Sequence, residues 1–360
     1  MLGLFSGKKD ALIGIDISSV GVKLIELAHT RSGYELKSIA IVPLPRDAIV
    51  ENTIIDSMAV SQALLDVLEV ASPASRNVAF AVSGNAVIIK TVQLPMMSEF
   101  ELEMSIEFEA EPHIPYDIED VFLDFQILGG VEDEPEMMDV VLAACKREVI
   151  EDYQLVLNEA ALQVKCVDCA VYCLENAAEI ALGDQQEEES LMLTDEDSQV
   201  YALVNIGANM ININIQQNGQ TAFVRDQFFG GENLTEEIQK EHGVSYQAAE
   251  KLKKERFSEV SPEALDTFYI GLTSELVRSL DYYSAKYSEY PVQKLYISGG
   301  TALIPDITNE LEQRLGIETE IVDPLQALKI PKKKFKNVDL SSIGPMMMVP
   351  IGLALRSFDK

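Results

Sequence analysis

Tryptophan is absent from this 360-residue chain, histidine occurs three times, and 28 basic residues face 59 acidic ones, for a formal net charge of −31. A surface this negative repels phosphate backbones and anionic headgroups, which argues against nucleic-acid binding and a general membrane-surface role. His29, His113 and His242 stand far apart in polar surroundings and suggest no shared catalytic imidazole. Cysteine is scarce: Cys145 is alone, while Cys166, Cys169 and Cys173 cluster in an apolar segment. No disulfide framework follows, and Cys166-x-x-Cys169 is half of a zinc site whose second half is missing. Long apolar runs are also lacking. The longest, Gly344 to Leu355, is broken by Pro345 and Pro350, whereas a membrane helix needs about 20 apolar residues. Lys8 and Lys9 follow the few apolar residues of the N-terminus, the wrong order for a secretory signal. No serine or cysteine sits in a nucleophile motif. The expectation is a cytoplasmic protein, long enough for two packed domains.

What is present is a repeated grammar. Strands are expected over Leu12–Ile17, Val22–Ala28 and Tyr34–Val42, the first two joined through Ser18, Ser19 and Gly21. A helix capped by Asp56 or Ser57 spans Met58–Val70. Strands follow at Asn77–Val82 and Ala86–Leu94, then a helix at Glu99–Glu111 ended by Pro112. The hairpin Val121–Leu128 and Met138–Cys145 crosses an acidic turn, Val131 to Glu136. Arg147–Leu162 reads as helix, Gln163–Val167 as strand and Val171–Leu182 as helix. Gly183 to Ser198 is too polar to pack and reads as a solvated loop. The second half restarts with strands at Tyr201–Ile206, Met210–Gln216 and Thr221–Asp226, with a tight Asn218-Gly219 turn. Two three-stranded meanders with glycine- or serine-rich first turns suggest two similar α/β lobes facing each other.

The candidate chemistry gathers at the turns. Gly14-Ile15-Asp16-Ile17-Ser18-Ser19 and Asn205-Ile206-Gly207-Ala208-Asn209 can each present backbone N–H groups to a polyphosphate. Lys23 returns beside the first turn, and Asp16 can hold hydrated magnesium. A plain hairpin explains either turn alone. Three further elements join them: Gly299-Gly300-Thr301 after the strand Lys294–Ser298, Gly230-Gly231-Glu232-Asn233 opening a helix, and Glu250 and Lys253 on one face of the next helix. That last pair can meet a ribose hydroxyl and a base. Against these stands the basic run Lys329, Lys332, Lys333, Lys334 and Lys336, either a solvated loop or a contact for an acidic partner or anionic lipid.

The five elements in this order resemble the actin superfamily, and most closely the PilM family of type IV pilus proteins and the cell-division protein FtsA. The PilM-like pattern runs through Gly14-Ile15-Asp16, Glu109-Ala110-Glu111, Ile114-Pro115-Tyr116-Asp117 and Arg225 before Gly230-Gly231. It continues through Leu234-Thr235, Ala249-Glu250 and Ser298-Gly299-Gly300 to Asp323-Pro324 and Pro350-Ile351-Gly352-Leu353-Ala354. The resemblance implies a duplicated, ribonuclease-H-like two-lobed fold around an ATP cleft. It divides the chain into subdomain IA (1–92), an inserted subdomain IC (93–165), the rest of IA with the acidic loop (166–199), IIA (200–230), IIB (231–289), the rest of IIA (290–340) and a return to IA (341–360).

The resemblance further implies a scaffold of pilus assembly at the inner face of the bacterial inner membrane, binding ATP and Mg2+. Its partner would be the short N-terminal cytoplasmic peptide of a PilN-like membrane protein, docked near Ile114, Pro115 and Tyr116. PilO, PilC and motor ATPases are further partners it suggests, and a homo-oligomer or ring is compatible with it. The departures are specific. Relatives usually have Gly at Ser18, where a positive φ costs roughly 1 kcal/mol for serine, Asp at Asn205 and a hydroxyl residue at Ile211. No residue matches the catalytic Asp of a sugar kinase. ATP binding with slow turnover is therefore expected. An actin-fold small-molecule kinase or active ATPase is the alternative, and a membrane-tethered type II secretion protein of related fold would need a helix not found here.

Overall fold

The computed structural model describes residues 11–131, 134–190, 199–286, 290–336 and 338–358. The first half opens with β1 (Ile13–Ser18), β2 (Gly21–Thr30) and β3 (Gly33–Pro43), an antiparallel meander, then a short β4 (Ile49–Val50) and β5 (Thr53–Ile54). Helix α1 (Ser57–Ala71) starts where expected, since the Asp56 carboxylate accepts the Ala59 N–H at 3.0 Å. Next come β6 (Asn77–Val82), β7 (Val87–Pro95), α2 (Glu99–Ala110), β8 (Val121–Val131), β9 (Glu134–Lys146), α3 (Arg147–Glu159), β10 (Gln163–Cys169) and α4 (Ala170–Ser190). The second half contains β11 (Val200–Ile206), β12 (Ile211–Gln217), β13 (Gln220–Gln227), α5 (Gly231–His242), α6 (Tyr246–Glu255), α7 (Pro262–Lys286), β14 (Lys294–Ser298), α8 (Ile307–Leu315), β15 (Glu318–Ile321) and α9 (Met348–Leu355).

The two large sheets have one topology. The first runs β10-β6-β1-β2-β3 and the second, read the same way, β15-β14-β11-β12-β13. In each, the first strand pairs antiparallel with the meander on one side and parallel with a later strand on the other. The Asn218-Gly219 turn takes positive φ at both residues (53° and 75°), the conformation such hairpins favour.

Helices α1 and α3 cover the outer face of the first sheet, packing Val60, Leu64, Val67, Ile150, Tyr153 and Leu157 under Ile13, Ile15 and Phe80. Helices α4 and α9 fill the layer between the sheets, in one core that joins Ile25 and Leu27 of the first lobe to Tyr201, Leu203 and Tyr296 of the second. Helices α5, α7 and α8 close the far side. All eight residues of α9 are buried. Its close approach explains two glycines: a Cβ at Gly14 would stand 2.0 Å from the Pro350 carbonyl oxygen, and one at Gly352 2.0 Å from that of Cys173. A stretch that looks like a membrane segment cut short is therefore a central core helix, and among the described residues no helix is long and apolar enough to cross a membrane.

Between β6 and α3 the chain builds a third sheet, β7-β9-β8, covered on one face by α2 around Val92, Leu94, Leu102, Met138, Val140 and Leu142. The expected limits of this insertion, 93 and 165, fall inside β7 and β10 rather than between elements. Helix α3, expected within the insertion, instead sinks its apolar face into the first-lobe core, because the stripe Ile150, Tyr153, Val156 and Leu157 matches α1 and β10. The expected loop from Gly183 is helical as far as Ser190, and its remainder, 191–198, lies outside the described residues, as do 132–133 of the acidic turn.

Candidate functional site

The first turn is anchored by charge. Asp16 and Lys23 are cross-strand partners, and the Lys23 ammonium donates to the Asp16 carboxylate at 2.6 Å with both side chains largely buried. The Ser18 hydroxyl donates to the Gly21 carbonyl at 3.0 Å. Neither Ser18 nor Ser19 has a positive φ, so the expected backbone cost of serine in this turn is not incurred.

The second turn is anchored by amides. Asn205 and Asn212 are cross-strand partners, and the Asn205 amide N–H donates to the Asn212 side-chain oxygen at 3.0 Å. Asn212 in turn donates to Asp226 at 2.7 Å, and the other Asp226 oxygen accepts the Gly84 backbone N–H across the lobe junction at 2.6 Å. A carboxylate only accepts, so Asp226 fixes the direction in which both amides point. Burial raises the Asp226 pKa, and the two donors only partly offset it.

Around this turn the expected glycines do separate jobs. The Gly231 and Glu232 N–H groups donate to the carbonyls of Gly207 and Ala208 at 3.0 and 2.8 Å, and Gly230 donates to the Asn233 side chain at 2.9 Å. The start of α5 is thus tied to protein, and Gly230 and Gly231 serve close packing: a Cβ on Gly230 would stand 2.4 Å from the Ala208 oxygen, and one on Gly231 2.6 Å from the Thr301 hydroxyl. Thr301, buried, donates to the Gly207 carbonyl at 2.7 Å and bolts the third element to the second. Gly299 has φ +90°, and a Cβ there would lie 2.4 Å from the Ile206 oxygen, whereas Gly300 borders open space except for Met346. With the Gly207 N–H taken by Met210, the donors left in the second turn are those of Ala208 and Asn209. The Asn209 side-chain oxygen is buried without a partner among the described residues, an orphaned polar atom beside these two donors.

On α6, Glu250 and Lys253 meet as their spacing predicts, but they bind each other: Lys253 and Thr235 both donate to the Glu250 carboxylate, Lys254 reaches it at 2.8 Å, and Lys253 also donates to the Gly231 carbonyl at 2.9 Å. Burial alone would raise the Glu250 pKa, but these donors outweigh it and hold the carboxyl at about 2, while burial draws the Lys253 ammonium down. The pair is ionised, because three donors converge on one carboxylate.

Sequence reasoning missed two cross-lobe contacts. Arg46 lies 3.4 Å from the Glu232 carboxylate and places its guanidinium 4.2 Å from the centre of the Tyr246 ring. Burial, with help from Glu232 and Glu250, pushes the Tyr246 hydroxyl up to about 12. The second contact is Asp226 to Gly84. Neither Arg46 nor Asp226 carries a local signal, since each acts on a residue over a hundred positions away.

Ile114 is buried in the insertion core, which removes it from any partner surface, while Pro115 is exposed and the half-buried Tyr116 hydroxyl is 3.4 Å from the Asn85 carbonyl. A nearby pocket of about 260 Å3 opens between insertion and lobes, lined by Gly84, Asn85, Val87, Ile89, Val171 and Arg225 among others. Burial pushes Cys145 up to about 11 and Cys169 and Cys173 higher, and among the described residues no trio of candidate ligands gathers. His242 accepts the Ser261 N–H at 3.0 Å and His29 packs against Tyr34 and Phe358.

The family model for the type IV pilus assembly protein PilM matches residues 14–358. The chain belongs to the PilM family. A solved structure described as a PilM–PilN type IV pilus biogenesis complex is similar to this PilM-family chain at 27% identity, covering 98% of this chain and 100% of that one with a TM-score of 0.84. The ethanolamine utilization protein EutJ of Carboxydothermus hydrogenoformans shares the fold at 14% identity, 96% and 89% coverage and a TM-score of 0.56. A diol dehydratase-reactivating factor in nucleotide-free form does so at 9% identity, 97% and 100% coverage and 0.53. The duplicated lobes and their PilM-type insertion are therefore an actin-like fold.

Proposed function

We propose that this chain is a nucleotide-binding scaffold of type IV pilus assembly, working at the inner face of the inner membrane. The observation that carries the reading is the match of the whole chain, insertion included, to the PilM of a PilM–PilN complex. The cleft residues fit a magnesium-bound ATP. Asp16 would hold the hydrated metal, and the Lys23 ammonium with the backbone N–H groups of Ala208 and Asn209 would meet the phosphates, while the unpartnered Asn209 side-chain oxygen would accept from a donor such as a water of the hydrated metal. Gly300 leaves room for close approach, and Glu250 and Lys253 stand at the ribose side. Gly207, Gly230, Gly231, Gly299 and Thr301 act by holding the walls together. Bound metal supplies charge neutralisation for the phosphates. The chain's own residues orient the nucleotide and bring the lobes together through Arg46 and Asp226.

A PilN-like N-terminal peptide would enter the pocket between the insertion and the lobes. Val87 and Ile89 point to the face of β7 opposite the α2-covered one, and with Val171 they form an apolar wall beside Asn85 and Arg225. Tyr116 stands at its edge, and β8 is an open sheet edge for added main-chain pairing. Turnover below about one per second fits a cleft whose second turn offers amides in place of a carboxylate.

Calorimetry of the nucleotide-free chain with magnesium-ATP tests the first part: one site is expected, weakened at least tenfold by Asp16→Ala. No heat at all would reject it. Anisotropy with a labelled PilN-like N-terminal peptide tests the second: Ile89→Asp and Tyr116→Ala should weaken peptide binding while magnesium-ATP still binds. Unchanged peptide affinity in both variants would place the groove elsewhere.

A further inference from the structure

Helix α2 is apolar on two opposite faces. Leu102, Ile106 and Ala110, four residues apart, face the insertion sheet, with Leu102 and Ala110 fully buried. Phe100, Met104 and Phe108, also four apart, lie on the reverse side and are 72%, 75% and 76% exposed. A helix apolar on both faces is normally enclosed on both, and large aromatics on a soluble surface mark a site of association when they are contiguous. Glu103, Glu107 and Glu111 line one border of the outer stripe and Glu101 the other, and no basic residue stands in the helix. The stripe is also remote from the pocket proposed for the peptide, since α2 and that pocket occupy opposite faces of the same small sheet.

We propose that the outer face of α2 is a second docking surface, whose occupant is a basic amphipathic helix of another protein. The apolar stripe would take the apolar side of that helix, and Phe and Met side chains adapt to varied partners. The glutamate borders would pair with its lysines or arginines and fix its orientation. An anionic membrane is disfavoured by the same glutamates. A second copy of this chain is disfavoured by its net charge of −31.

The test uses the full chain and a labelled 18-residue lysine–leucine peptide with its leucines on one helical face, beside a scrambled peptide of the same composition. The amphipathic peptide is expected to bind at least tenfold tighter than the scrambled one at physiological salt. Phe100→Gln/Met104→Gln/Phe108→Gln should reduce that binding at least tenfold with no loss of thermal midpoint, and Glu103→Lys/Glu107→Lys/Glu111→Lys should do the same. Met58→Gln/Val70→Gln, which changes exposed apolar residues of α1, should leave it unchanged. Should the apolar triple variant fail to fold, the charge variant alone decides. Equal binding by wild type and variants overturns the proposal. So does self-association of wild type that the triple variant abolishes, which would make the occupant a second copy, and so does flotation with phosphatidylglycerol vesicles that the triple variant loses.

Discussion

The first and second lobes use one sheet topology but different chemistry at the corresponding turn. In the first, a carboxylate faces an ammonium, Asp16 to Lys23; in the second, an amide faces an amide, Asn205 to Asn212. The difference follows from what lies behind each pair. Behind Asn212 stands Asp226, buried and accepting at both oxygens. A second carboxylate at 205 would face an Asn212 oxygen whose own N–H is already committed. Among the described residues the first turn has no such chain behind it, and Lys23 neutralises Asp16 on the spot. A duplicated architecture has thus kept a charged turn on one side of the cleft and an uncharged, hydrogen-bonded strut on the other.

The largest effect is expected at the packing beneath the first turn. Gly14→Ala would press a methyl group against the Pro350 carbonyl and the Ala354 N–H, and backbone atoms of a buried helix cannot step aside. A loss of about 3 kcal/mol or more is expected, read as a lower urea midpoint; a near-wild-type midpoint would mean that α9 is looser than its burial implies.

The next prediction reverses the strut. Asn205→Asp should cost about 1–3 kcal/mol by leaving two acceptors face to face. Adding Asp226→Asn should recover most of that loss, because Asn212 can then turn over, donate to residue 205 and accept from residue 226, which keeps an oxygen for Gly84. Urea unfolding of both single variants and the double variant measures the coupling. Additive losses would sink this account of the relay.

A smaller effect concerns the Glu250–Lys253 pair of α6. Glu250 has its folded pKa held at about 2, below the ordinary glutamate value of 4.5, so its contribution is present above 4.5 and is lost as pH falls towards 2. Glu250→Gln should therefore cost about 1 kcal/mol at neutral pH, and the gap to wild type should narrow between pH 4.5 and 2. A gap that is constant across that window would show that the carboxylate charge is not what binds Lys253 and Thr235.

Much of this architecture is legible in the sequence. The meander at each lobe's start, the Asn218-Gly219 hairpin, the Asp56 cap and the existence of α2 follow from period, turn chemistry and capping, all of which act within a few residues. The glycines of the cleft are visible as a set, but their division of labour is not: Gly230, Gly231 and Gly299 are required by neighbours at 208, 301 and 206. The short irregular segment around Ile114 carries no period that would assign it to the core. Helix α3 follows the insertion hairpin directly in chain order, and only packing shows that it belongs to the first lobe.

By itself the sequence determined the two-lobed α/β plan, the order of the cleft motifs and the absence, among the described residues, of a helix apolar and long enough to span a bilayer, because each is written in local composition and spacing. Tertiary structure alone decided that Asp226 reaches Gly84, that Arg46 crosses to Glu232 and Tyr246, and that α9 lies between the sheets. Those contacts join residues separated by more than a hundred positions, and their energies depend on burial and direction that only the folded chain creates.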